Sequence, residues 1–111
     1  MRLLVANEPH SYREAIAGAV QALRPHLAVI TVEPEDLDEE VVRHDPDLVL
    51  CSRLSRVVER WPCAWIVLYP NGEPRAMISI AGRRRTVTAD LPFADLLSII
   101  DETEHLTLTG G

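Results

Sequence analysis

Short apolar runs alternate along the chain with stretches of helical periodicity. Residues 3–6 form an unbroken apolar run that stops at Asn7-Glu8-Pro9-His10, the pattern of a fully buried strand ending in a loop. Ser11-Tyr12-Arg13-Glu14 then has capping-box spacing, in which hydroxyl and carboxylate satisfy each other's backbone amides. Ile16, Ala19, Val20 and Leu23 share one face of the helix this opens, and Pro25 stops it. Residues 27–32 are rich in β-branched side chains and read as a second strand. Pro34, with Glu35 and Asp36 behind it, suits the positive end of a helix that Leu37 and Val41 would anchor. Asp45-Pro46-Asp47 breaks that helix, and residues 48–51 are a third buried strand. Leu54, Val57, Val58 and Trp61 are spaced for a short helix ended by Pro62. Residues 65–69 make the fourth strand. Pro92 opens a last helix with Phe93, Leu96, Leu97 and Ile100 on one face.

Between the fourth strand and that last helix the pattern is irregular. Asn71-Gly72 and Gly82-Arg83 are turn signals. Residues 76–80 fit a strand or the end of a short helix, and residues 86–88 a further strand. The two turns favour a β-hairpin here. Strands alternating with helices imply a three-layer, doubly wound, flavodoxin-like α/β domain with a mostly parallel five-stranded sheet. The domain is expected over residues 1–105, with 106–111 as a flexible tail.

Composition narrows the function. Hydrophobic residues make up 47% and charged residues 25% of the 111, which fits one globular domain rather than a disordered chain. The formal net charge of -6 repels phosphate backbones, so no nucleic-acid partner is expected. Cys51 and Cys63 lack Cys-x-x-Cys spacing and read as free thiols in a reducing compartment. No apolar run is long enough to span a membrane, and no signal peptide opens the chain, so the expected location is the cytoplasm. His10, His26, His44 and His105 are scattered between elements, without metal-ligand spacing. No phosphate loop, zinc pattern or nucleophile elbow appears, so neither cofactor nor metal is expected, and the chain is not read as an enzyme.

Three local stretches carry a resemblance. They are Leu4-Val5-Ala6-Asn7-Glu8 continuing to Arg13-Glu14-Ala15, Asp45-Pro46-Asp47-Leu48-Val49-Leu50, and Leu91-Pro92-Phe93-Ala94-Asp95-Leu96-Leu97. Together they resemble the first strand and helix, the third strand and the last helix of a response-regulator receiver (CheY-like) domain. The resemblance implies a phosphorylation pocket at the carboxyl ends of the strands, and every position of it but Glu8 departs from the pattern. Where such domains hold Mg²⁺ with two acids, this chain has Asn7 and Glu8. Where they have the aspartate that accepts the phosphoryl group, it has Ser52, which cannot form an acyl phosphate. Tyr69 stands in place of the small hydroxyl residue. Ala89, followed by Asp90, stands in place of the lysine that neutralises the phosphoryl group. The resemblance therefore implies a degenerate pseudo-receiver that is not phosphorylated on aspartate.

The expected function is that of a stand-alone regulatory module acting by protein–protein contact, as a homodimer or with a regulatory partner. With a hairpin in place of the fourth helix, Met77, Ile78 and Ile80 would form an uncovered apolar patch next to Arg83, Arg84 and Arg85. Pairing of those arginines with the acidic stretch 33–40 of a second copy is one route to association. The alternative is a ligand-sensing module using the crevice near Asn7, Glu8 and Ser52. Trp61 and Trp65 are expected to pack in the core.

Overall fold

The computed structural model describes residues 1–109. Strands β1 (Arg2–Ala6), β2 (Ala28–Thr31), β3 (Leu48–Cys51) and β4 (Ala64–Leu68) are joined by helices α1 (His10–Leu23), α2 (Leu37–His44) and α3 (Arg56–Arg60). Strands β5 (Ala76–Ile80) and β6 (Arg83–Val87) follow, and helix α4 (Phe93–Thr109) ends the described chain. The sheet is six-stranded in the order β2-β1-β3-β4-β5-β6. The first four strands are parallel, β5 runs antiparallel to β4, and β6 runs antiparallel to β5. The fold is thus α/β with a mixed sheet, not the five-stranded, mostly parallel one the pattern implied.

Period-two alternation divides the core into two layers. Leu3, Val5, Leu48, Leu50, Ile66 and Ile78 face α1 and α4, where Ile16, Val20, Leu96 and Ile100 cover them. Leu4, Val49, Trp65 and Val67 face α2 and α3, where Leu37, Val41 and Val58 cover them. Strands β1, β3 and β4 have apolar side chains on both faces, which is why they read as continuous apolar runs. Beyond β4 the cover differs between the faces: α4 packs on Ile78 of β5, while on the other face Glu59 of the short α3 reaches Arg84 of β6.

The helix ends depart from expectation in two places. Pro9 takes the N-cap of α1 in an extended conformation (φ -77°, ψ 176°), so Ser11 lies inside the helix and makes no capping contact. The working side-chain cap is on α3, where the Ser55 hydroxyl accepts from the Val58 amide at 3.1 Å. At its far end α4 continues to Thr109, so residues 106–109 are helical and not a tail. The last two glycines lie outside the described residues. Two ion pairs fasten α4 to the α1–β2 connection, Arg24–Asp101 at 2.7 Å and His26–Glu104 at 2.9 Å. The Arg24 guanidinium holds the Asp101 carboxyl below its ordinary range. No helix among the described residues is long and apolar enough to cross a membrane.

The hairpin reading holds, and its turn is specific. Ala81 (φ 53°) and Gly82 (φ 79°) both take positive φ, the conformation that matches the twist of the two arms. The second arm is Arg83–Val87, earlier than the apolar pattern placed it.

Candidate functional site

Strands β1 and β3 are neighbours whose connections leave in opposite directions, towards β2 and towards β4. The carboxyl ends of two such strands bound a crevice. Glu8 follows β1 and Ser52 follows β3. The Glu8 amide donates to the Ser52 hydroxyl at 2.9 Å, and Arg53 pairs with the Glu8 carboxylate at 3.5 Å. Two hollows flank this bridge. One, of about 280 Å³, runs towards Pro34 and Leu54; the other, of about 630 Å³, runs towards Tyr12 and Tyr69.

Tyr69 stands just past β4 in the left-handed region (φ 51°, ψ 52°). Its ring meets Tyr12 edge to face, with centroids 5.9 Å apart. Burial raises the Tyr69 hydroxyl pKa, and the nearby Asp90 carboxylate raises it further. Tyr12 is raised for the same first reason, burial, and then by Tyr69. Both phenols therefore act as neutral hydrogen-bonding groups at ordinary pH.

The structure brings Glu8, Ser52 and Tyr69 around one hollow. It does not bring Ala89 there. Ala89 is exposed in the connection after β6, and β6 is two strands away from β4. The cause is β5, which stands between β4 and β6, so the connection after β6 returns to this end of the sheet but starts two strands from β4. Among the described residues no three His, Cys, Asp or Glu side chains stand close enough to hold a metal ion. Burial pushes the Cys51 thiol up to about 12 and the Cys63 thiol up to about 11, so neither is a thiolate at neutral pH.

Asn7 is fully buried, and among the described residues neither its amide nitrogen nor its carbonyl oxygen finds a partner. An unpaired buried amide costs about 1–3 kcal/mol. Asn7→Leu, similar in size and apolar, is therefore expected to raise the thermal midpoint by several degrees. A lowered midpoint in a calorimetric scan would show that the amide is satisfied in solution.

Beside Asn7 lies a group that sequence reasoning treated only as part of a resemblance. Arg13 is 3% exposed. Its guanidinium donates to the Asn7 backbone carbonyl at 3.4 Å, to His10 Nδ1 at 2.7 Å and to Glu33 at 3.3 Å. This ties α1 to the segment after β2. The signal was present: Arg13 precedes Ile16, Ala17 and Val20 by three, four and seven residues, which puts it on the buried stripe.

A second feature stands at the far edge of the sheet. β6 pairs only with β5, and Arg83, Arg84, Arg85 and Thr86 are all exposed. Here the expected apolar patch is corrected. Ile78 is 1% exposed beneath α4, and Met77 and Ile80 are half-buried against the two core layers. What β5–β6 presents is an arginine-bearing strand edge. Arg84 lies over the Trp65 ring at 5.3 Å and reaches Glu59 at 3.5 Å, so it is packed as well as charged. Trp65 is buried, as expected, while Trp61 is only half-buried and donates its indole N–H to Asp45 at 2.9 Å.

No family model matches the chain, and no curated protein matches it. Among solved structures, methionyl-tRNA formyltransferase from Clostridium thermocellum is similar over 97% of this chain and 65% of its own, at 16% identity and a TM-score of 0.49. The chain spans about two thirds of that protein, and a likeness at this level assigns neither activity nor substrate.

Proposed function

We propose that this chain is a regulatory protein-binding module on a degenerate receiver frame, and that its working surface is the β6 edge. The observation that carries this reading is the open edge strand itself. An unpaired row of backbone groups is a template for another strand, and three arginines mark it on a protein of net charge -6. The receiver frame is supported by the order β2-β1-β3-β4 and by the placing of Glu8 and Ser52 at the switch point. The lost chemistry is supported by the crevice. Ser52 accepts from an amide, no base among the described residues hydrogen-bonds it, and Glu8 is engaged by Arg53. Cytoplasmic location follows from the two free thiols and is part of the same proposal.

The test is capture of partners from the source cells by the wild-type chain and by the double variant Arg83→Glu/Arg85→Glu. A partner held by the wild type and lost by the folded variant is the expected result. Equal retention by both would overturn the reading.

One observation favours a second reading, a small-ligand module. The larger hollow combines two neutral tyrosine hydroxyls with the Arg53 and Glu8 side chains, a mixture of apolar wall and few polar groups suited to a small planar ligand. A thermal-shift screen with nucleotides and small metabolites separates the two. Stabilisation by one of them, abolished by Tyr69→Ala, would move the function to the crevice.

A further inference from the structure

The three arginines of the open edge divide between the two faces of the sheet, and the division defines what can pair with it. The β5–β6 register sets Arg83, Arg85 and Val87 opposite Ile80, Ile78 and Ala76, on the α4 side of the sheet. Arg84 and Thr86 lie on the other side, opposite Ser79 and Met77. Arg84 is already held by Glu59 and Trp65. Arg83 and Arg85 are exposed and have no ion-pair partner among the described residues. Beside them a groove runs between β6 and α4, formed by two hollows of about 530 and 310 Å³ that share Ile78, Arg85 and Glu102. Arg83 and Arg85 line the hollow at the turn end, while Asp90 and Asp95 line the other.

We infer that β6 accepts an acidic, extended segment of a protein partner as a seventh strand, with carboxylates at alternate positions facing Arg83 and Arg85. This rests on the interaction reading above and names the partner's chemistry. The backbone of the incoming segment completes the hydrogen-bond ladder, and side chains at every second position decide which segment is taken. Guanidinium forks bind carboxylates in two-point geometry, which favours glutamate or aspartate at those positions. The acids belong at the turn end only, because Asp90 and Asp95 would repel them beyond Val87.

A second copy of β6 fits poorly. Two-fold pairing centred on Arg85 sets that residue against itself and leaves Arg83 against Val87, with no acid in the ladder. The same charges that keep the edge from pairing with itself leave it open to an acidic strand. A nucleic acid fits poorly too, since the net charge of -6 opposes it and a phosphate chain offers no amide ladder.

The probe is a labelled peptide alternating glutamate with valine, titrated into the full chain and followed by fluorescence anisotropy and backbone amide NMR. The expected result is saturable binding that weakens with salt and protects β6 amides from exchange. Arg83→Gln/Arg85→Gln, which keeps size and polarity, should lower affinity at least about tenfold, the loss expected for charge-assisted contacts. The lysine–valine peptide should not bind. Equal binding of both peptides, or binding without protection of β6, would overturn the inference. So would preference for a single-stranded RNA of equal length or self-association through β6. If cellular capture depends on Arg83 and Arg85 but the peptide does not protect β6, strand addition fails and the interaction reading stands. If capture does not depend on them, both fail.

Discussion

Trp65→Ala is expected to destabilise the fold by about 3–5 kcal/mol, the cost of emptying a large buried aromatic site. Against the ~5–15 kcal/mol that such domains have in total, this is a large share of the stability. Trp65 is 3% exposed and lies in the layer beneath α2 and α3, in register with Val49 on one side and Ser79 on the other. Arg84 lies across the ring at 5.3 Å, so one arginine serves as part of the core's roof. Removing the indole takes away that support and loosens β6, so binding through the edge should fall together with stability. Trp65→Phe, which keeps an aromatic face for Arg84, should recover most of both. Urea unfolding measures the first effect, and a loss under ~1 kcal/mol would mean that the site collapses without a cavity.

Ile100→Ala is expected to cost about 2–5 kcal/mol. Ile100 is fully buried on α4, flanked by Leu96 and Ile99, in the same core cluster as Ile78 on β5. The Arg24–Asp101 and His26–Glu104 pairs lie on exposed or half-exposed side chains, so they tie α4 to the α1–β2 connection but cannot replace the lost packing. Leu108, on the same helix but 79% exposed, is the control: Leu108→Ala should stay within ~0.5 kcal/mol of the parent. Thermal melts of the two variants check the contrast, and equal losses would mean that the last turns of α4 are buried in solution.

Both effects arise where tertiary packing decided what local pattern could not. The buried strands were legible because their residues are apolar on both faces. The hairpin was legible from its turn glycine. Its second arm was not, because Arg83, Arg84 and Arg85 carry no apolar periodicity, and only an edge position tolerates three charges in a strand. The second arm was therefore placed too late along the chain, at residues 86–88. Ser11 and Glu14 matched a capping box, but Pro9 already held the N-cap, and the helix began before the serine. Ile78 was read as a surface residue because nothing local shows that α4 folds back over β5.

The candidate site divides in the same way. Glu8 and Ser52 meet as their positions after the first and third strands suggested. Ala89 does not join them, since β5 is inserted between β4 and β6 and moves the end of β6 one strand further from the crevice than a five-stranded pattern places it. Arg13 shows the converse. It is charged, yet its spacing sets it on the buried stripe, and burial is possible because His10, Glu33 and a backbone carbonyl receive its hydrogen bonds.

Hydrogen exchange on the chain alone and in complex with a partner captured from its own cells tests the placement of the working surface most directly. The expected result is slowed exchange of β6 amides on complex formation, with Glu8, Ser52 and Tyr69 unchanged. Protection at the crevice with β6 exchanging as freely as before would contradict the account.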